Sequence, residues 1–301
     1  MTQTAQNDRA SQFSHNPLYG EATSRQLDAE RIQFRAKAEA RYRLEPSIPH
    51  FAKFHEARGK RVLEIGVGTG VDHGQWALHK PAALHGIDLS QHAIDRTAKQ
   101  LQLAGLQSNL QKADAEKLPF ATHSFDIVYS WGVLHQCHDT ARAFREAYRV
   151  LDENGVARFM IYNKWSLTGF LQWARYSLSR GRFTEIPNVY AHRKLKTKPF
   201  TIKDATRLCH LSLFAAVNDR VQLCSRDMLE RPTGKWRESR AQAIIRGLWP
   251  RRTIKRLAPK MGLFLLIEAS KRSYVDGPID GYSQNLSALN AGYMSFAPPL
   301  E

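Results

Sequence analysis

The stretch Arg61-Val-Leu-Glu-Ile-Gly-Val-Gly-Thr-Gly70 constrains this chain more than any other. Val62 to Ile65 reads as a short buried strand carrying one acid, Glu64. Gly66, Gly68 and Gly70 follow at alternate positions, and a helical pattern begins at Val71. Glycine lets the backbone reach positive φ and approach a ligand with no Cβ in the way. The N-terminus of the following helix adds free N–H groups and a partial positive charge. Strand, glycine turn and helix together make a binding edge for a nucleotide-like ligand with an anionic end. The dinucleotide fingerprint G-x-G-x-x-G is not met, because the third glycine falls one residue early and Val71 takes its place.

Upstream, residues 1–22 are polar and read as a flexible arm. Residues 23–57 read as a helix from Ser24 to about Leu44, a break at Pro46 and Pro49, and a short helix through Phe51, Phe54 and His55. These helices pack on the sheet or cover the ligand pocket as a lid.

Downstream, Ala82 to Ile87 is a second strand ending in Asp88, 18 residues after Gly70. That is the βαβ spacing at which an acid accepts hydrogen bonds from ribose hydroxyls. Ser90 is the better cap for the helix Ser90 to Ala104, closed by Gly105, which leaves Asp88 for a ligand. Further strands read at Asn109–Ala113, Phe125–Tyr129 and Val156–Tyr162, with a helix over Thr140–Leu151. This alternation specifies an α/β fold, a parallel sheet with helices on both faces.

Three later motifs follow in order. They are Asp114-Ala-Glu-Lys-Leu-Pro-Phe120, Ser124-Phe-Asp-Ile-Val-Tyr-Ser-Trp-Gly-Val-Leu-His135, and Arg149-Val-Leu with Gly155 beyond it. With Glu64-x-Gly-x-Gly-x-Gly70 in front, the series resembles the methyltransferase type 11 group of class I S-adenosylmethionine (SAM) dependent methyltransferases, over roughly residues 58–165. Ubiquinone/menaquinone C-methylases are similar. The resemblance implies a Rossmann-like sheet of seven strands, mostly parallel, with an antiparallel last strand. Ala215–Cys224 and Gly262–Ala269 would be its final hairpin. It implies a methyltransferase domain over 58–270 with basic insertions at 163–200 and 225–261, before a loose tail at 271–301. It further implies SAM as methyl donor. Glu64 with Gly66, Gly68 and Gly70 would hold the methionine end, Asp88 with Leu89 the ribose, and Asp114 with Ala115 the adenine. Ser130 and Trp131 would line the pocket.

The charge is uneven. Of a net +16, residues 163–210 and 226–260 carry +8 each, and the rest is balanced. A local basic excess fits an anionic partner or a solvated surface. Trp165, Trp173 and Tyr176 lie partly off a helix face formed by Leu167, Phe170, Leu171, Ala174 and Leu178. That face reads as core packing, or as an interfacial helix at a membrane. No apolar run approaches a membrane span, the N-terminus lacks a secretory pattern, and three unspaced cysteines fit a cytoplasmic protein, possible membrane contact being peripheral. No metal site is expected. His135 is the candidate general base, and Tyr162, Asn163 and Tyr19 are lesser candidates for shaping the acceptor side. Three functions compete: methylation of a small, lipid-like or amphipathic acceptor, methylation of RNA held by the basic segments, and SAM or nucleotide binding without turnover.

Overall fold

The computed structural model describes residues 17–180, 197–230 and 246–271, and for 17–28, 30–31 and 175–180 the backbone only. Helix α1 (Pro17–Leu44) and helix α2 (Ser47–Ala52) lead through a 3-10 turn into strand β1 (Arg61–Ile65). Then come α3 (Val71–Leu78), β2 (Ala83–Asp88), α4 (Gln91–Leu103), β3 (Asn109–Lys112), β4 (Phe125–Trp131), α5 (Thr140–Val150) and β5 (Leu151–Tyr162). The described residues close with α6 (Leu167–Arg180), α7 (Ile202–Leu211), β6 (Ala216–Gln222), α8 (Arg251–Leu257) and β7 (Phe264–Ser270).

One seven-stranded sheet runs in the order β3-β2-β1-β4-β5-β7-β6. β1 to β5 are parallel, and β7 is antiparallel to both β5 and β6. The seven-stranded, mostly parallel expectation holds. β1 lies between β2 and β4, so the chain changes direction across the sheet beside β1, the position where open α/β sheets bind ligands at their carboxyl ends.

Strand alternation splits the core. Leu63 and Ile65 of β1 face a layer with Phe144, Ala147 and Val150 of α5 and Ala205 and Cys209 of α7. Val62 faces the other layer, with Ile48, Phe54, Trp76, Leu101 and Tyr129. Trp76 lies 4.7 Å from Phe54 and 5.4 Å from Tyr129, both edge to face. Such pairs add about 0.5–1.5 kcal/mol each beyond area burial. The helix starts follow local chemistry. Ser90 caps α4 and Thr201 caps α7. The Thr201 oxygen accepts from Asp204 N–H while its hydroxyl donates to the Asp204 carboxylate, in place of the full capping box the spacing suggests. Leu106 N–H bonds Leu101 O and Gly105 N–H bonds Gln102 O, closing α4 in a Schellman motif.

Several expected bounds shift. α1 begins at Pro17, inside the arm read at 1–22, because proline suits the first helical position. Residues 1–16 lie outside the described residues, as do the tail from 272 and the basic residues of 181–196 and 231–245. β4 continues through Ser130 and Trp131, paired to Phe159 and Met160 of β5. β5 itself starts at Leu151, ahead of the Asn154-Gly155 turn. Pro49 does not break a helix, since it sits in the first turn of α2, where no intrahelical N–H is missed. Among the described side chains of α6 the buried residues are Thr168 and Gly169, while Leu167, Phe170, Leu171 and Ala174 are only half-buried. This part of its apolar face lies at the rim of the core, and the side chains of Tyr176 and Leu178 lie outside the described residues.

Candidate functional site

β1 ends in the glycine turn, whose φ values are +85° at Gly66, +52° at Gly68 and +76° at Gly70. Gly66 is hemmed in: a Cβ there would meet Val133 Cγ2 at 2.3 Å. At Gly68 a Cβ would meet nothing nearer than 4.0 Å, so the backbone faces open space at the tip of the turn. Gly66 and Val67 donate to Ile87 O at 2.8 and 3.1 Å, tying the turn to the end of β2. Gly70 caps α3, whose first N–H groups point towards the turn. This is a cradle of bare backbone shaped for close approach of a ligand.

Asp88 closes one side. Its Oδ2 accepts from Gly68 N–H at 3.0 Å and its Oδ1 from Ser90 N–H at 2.9 Å. Ser90 caps α4 as expected, and Asp88 also accepts that residue's own N–H. Each carboxylate oxygen keeps a lone pair for a further donor. Beside it Leu89 is exposed, an apolar side chain at the mouth. Asp114, exposed at the end of β3, orders its turn by accepting from Glu116 N–H at 2.9 Å, and Ala115 next to it is buried.

Glu64 points to the other side of β1 and is 2% exposed. Its Oε2 lies 2.9 Å from Nδ1 of His73, itself fully buried on α3. His73 Nε2 lies 2.7 Å from Ser108 Oγ, and Ser108 donates to Leu84 O at 3.0 Å. Burial, then the charge of Asp72, pushes the Glu64 carboxyl well above the usual carboxylate range. Burial lowers His73 to about 3. Neighbouring Asp72 is the hub of the N-terminal layer, accepting from Arg41, Tyr42 and Tyr129.

Ser130 is fully buried and donates its hydroxyl to Ile65 O at 3.0 Å, joining the ends of β1 and β4. Trp131 is half-buried in an aromatic wall, 6.2 Å from Phe51 and 5.2 Å from Phe264. His135 follows in a 3-10 turn, its ring 4.3 Å from that of Tyr162. It is fully buried, and neither ring nitrogen has a hydrogen-bond partner among the described residues. Burial lowers its pKa to about 3, so the ring is neutral across the physiological range. A base works best with a pKa near the working pH, which counts against His135 as the proton acceptor. Asn163 donates to Gly262 O at 2.8 Å and Trp165 O at 3.1 Å, fastening the end of β5 to the approach to β7. The side chain of Tyr19 lies outside the described residues.

Sequence reasoning missed Asp72, His73 and Ser108. Acids in a first helical turn are common, so Asp72 carried no signal. His73 carried no signal either; the structure shows that Gly86 makes room for it, since a Cβ there would meet His73 Cε1 at 2.6 Å.

On the same sheet edge lies a basic platform. α8 and the residues around it carry Arg252, Lys255, Arg256 and Lys260 with no ion pair among the described residues, and Leu248 and Leu257 are 79% and 74% exposed. Buried Asp227 anchors this part by accepting from Thr168, Cys224 and Leu263 backbone N–H groups. Trp165 stands beside it, exposed, with Lys164 Nζ 5.5 Å from its ring centre. No helix among the described residues is long and apolar enough to cross a membrane.

Residues 63–159 match the family described as a methyltransferase domain. The chain is similar to the phthiotriol/phenolphthiotriol dimycocerosates methyltransferase of Mycobacterium leprae, 36% identical over 119 residues, 37% of this chain and 43% of that protein. It is likewise similar to the malonyl-[acyl-carrier protein] O-methyltransferase of Legionella pneumophila, 36% identical over 101 residues, 33% of this chain and 35% of that protein. The match therefore spans less than half the length of either relative. Geranyl diphosphate methyltransferase, solved in complex with SAM, shares the fold at a TM-score of 0.54 and 15% identity, over 77% of this chain and 87% of that one.

Proposed function

We propose, from the premise that residues 63–159 belong to a class I SAM-dependent methyltransferase domain, that this protein moves a methyl group from SAM to a lipid-like or amphipathic small acceptor. The observation that carries the reading is the cradle itself: three positive-φ glycines with open space at Gly68, flanked by Asp88. SAM, when bound, supplies an already electrophilic methyl on its sulfonium, so the protein need only hold, align and exclude water. The backbone of Gly66 to Gly70 and Glu64 take the aminocarboxypropyl end. Asp88 accepts from the ribose hydroxyls with its remaining lone pairs, Leu89 covers the sugar, and Asp114 with Ala115 meets the adenine.

The acceptor side lies where β4 and β5 end. Trp131, Phe51 and Phe264 offer an apolar wall. His135 acts there as a neutral hydrogen-bonding group for the acceptor, its two unpartnered nitrogens offering one donor and one acceptor. Relatives named for phthiotriol dimycocerosates and malonyl-[acyl-carrier protein] support a lipid-like acceptor. The platform supports docking at an anionic lipid surface, because exposed leucines among unpaired cations suit headgroups and acyl chains together. RNA would use the cations and leave Leu248 and Leu257 in water.

Thermal stabilisation by S-adenosylhomocysteine tests the donor site. No shift at millimolar ligand sinks the reading, and Asp88→Ala should remove most of the shift. Labelled methyl transfer to extract fractions separates lipid, RNA and no acceptor. Flotation with anionic vesicles, expected to weaken in a Leu248→Ser, Leu257→Ser variant, tests the platform. Undiminished flotation by that variant, or tight RNA binding in place of vesicle binding, overturns the lipid assignment.

A further inference from the structure

Ser108 has one hydroxyl proton, and it goes to Leu84 O, an acceptor only, at 3.0 Å. The 2.7 Å contact between Ser108 Oγ and His73 Nε2 must then be made by a hydrogen on Nε2. That fixes the other end. A neutral His73 with Nε2 protonated turns a lone pair on Nδ1 towards Glu64 Oε2, 2.9 Å away. An ionised Glu64 facing that lone pair would be repelled. One further proton therefore lies between Nδ1 and Oε2, and it is held by one atom or the other.

We infer that His73 is a positioning residue that stores this proton: it rests on Glu64 before the cofactor binds and moves to His73 Nδ1 when the cofactor's α-ammonium group reaches Glu64. The inference rests on the proposal that Glu64 serves the methionine end of SAM. In the transfer the Oε2–H bond breaks, the Nδ1–H bond forms, and no proton leaves the pair. Both arrangements are fully hydrogen-bonded, because Ser108 accepts from Nε2–H in each and the Glu64–Nδ1 bond only reverses its direction.

The surroundings bias the two states as the inference needs. Asp72 and Asp88 oppose a charge on Glu64, and Arg41 favours one. Tyr42 and Tyr129 reach the same region through Asp72, and His85 opposes a charge on His73 from β2. Burial, with Asp72, favours the protonated carboxyl, and burial favours the neutral imidazole. A cationic ligand group reverses the balance, since a buried carboxylate is stable only when paired. Gly86 is part of the device: its missing Cβ is the room that the imidazole occupies, 2.6 Å from Cε1. Ser108 also borders a surface cleft of about 950 Å³ lined by Lys80, Gln102 and Asn109, which gives the far end of the chain contact with solvent.

The test is nitrogen NMR of the histidine rings in full-length protein labelled with ¹⁵N-histidine, with the His73 signals assigned by their loss in His73→Gln. Without ligand, His73 should show an unprotonated Nδ1 and a protonated Nε2. Saturation with S-adenosylhomocysteine, which keeps the α-ammonium, should give the signature of two protonated nitrogens. Saturation with 5′-methylthioadenosine, which lacks the amino acid end, should leave His73 neutral. Nδ1 that stays unprotonated in the homocysteine complex, is protonated before ligand, or responds equally to both ligands overturns the inference. Glu64→Gln should abolish the change and weaken S-adenosylhomocysteine about tenfold or more, with methylthioadenosine little affected. If Glu64→Gln or His73→Gln does not fold, the two ligands on the unaltered protein still decide, His73 then being assigned through the Ser108→Ala perturbation. Failure of the homocysteine to bind at all would instead overturn the proposed donor site.

Discussion

Arg41 grips both carboxylate oxygens of Asp72, Nε to Oδ1 at 2.9 Å and Nη2 to Oδ2 at 2.7 Å. The pair joins the last turn of α1 to the first turn of α3, which springs directly from the glycine cradle. It fastens the N-terminal layer at the cofactor edge, and about two turns back along α1 Phe34 packs on Gly74.

Asp72→Ala removes the acceptor for Arg41, Tyr42 and Tyr129 at once. The expected cost is about 3–5 kcal/mol, as for breaking other buried charged networks. Arg41→Ala should cost less, since Asp72 keeps both tyrosine donors. Urea unfolding of the two variants checks the order, and limited proteolysis should cut near residue 44 faster in both.

A second network sits at the opposite edge of β4. Arg158 is buried and donates to Glu268, Glu56 and Ala52 O. Burial alone would raise Glu268, but Arg158 and Lys53 outweigh it and hold the carboxyl below its usual range. A depressed carboxyl contributes stability above its unfolded pKa, here about 4.5, and loses it as pH falls through the folded value. Arg158→Met should destabilise by about 3–5 kcal/mol at pH 7 and by less at pH 3, as read from denaturant midpoints.

Gly66→Ala should abolish stabilisation by S-adenosylhomocysteine. A Cβ there strikes Val133, and φ of +85° is already unfavourable for alanine. Gly105→Ala meets nothing within 4 Å and should cost only about 1–2 kcal/mol from its left-handed backbone. It should keep the full ligand shift in the same thermal assay.

His135 is held neutral by burial, with its pKa lowered from 6.5 to about 3. The unfolded chain therefore binds the extra proton between those values, and stability falls as pH drops through that window. His135→Phe should flatten this part of the stability profile. It should also reduce methyl transfer without moving the pH optimum, because the ring does not titrate between pH 5 and 8.

The thiols should be inert. Burial pushes Cys137 and Cys209 up to about 12, and Cys224 rises further. Iodoacetamide at pH 8 should label none of the three in the native protein and all three after unfolding, by intact mass.

Much of the frame was legible because local chemistry decides it. The glycines after Ile65 forced a turn, Ser90 and Thr201 are caps by residue type, and the alternation of strand and helix left few topologies. The end of β4 was read two residues short, at Tyr129, because a strand's last residue cannot be read from its pattern: pairing with β5 carries it on through Ser130 and Trp131. The bond from Ser90 N–H to Asp88 went unread because capping logic counts side chains and overlooks the N–H of the capping residue itself. His73 stayed hidden because its partners come from β1 and from the approach to β3, and no local pattern joins residues 64, 73 and 108.

β7 has a consequence for the order in which the protein can be made. It is the last strand among the described residues, yet it lies between β5 and β6 and is buried along nearly its whole length. Until Ser270 has left the ribosome, β5 has no neighbour on that side, and its row of N–H and C=O groups is an open edge. β6, made earlier, has no strand to join before β7, its one partner among the described residues. A nascent chain ending before Phe264 should therefore be sticky and chaperone-bound whatever the state of the cofactor cradle, and completion of the sheet becomes a single late insertion.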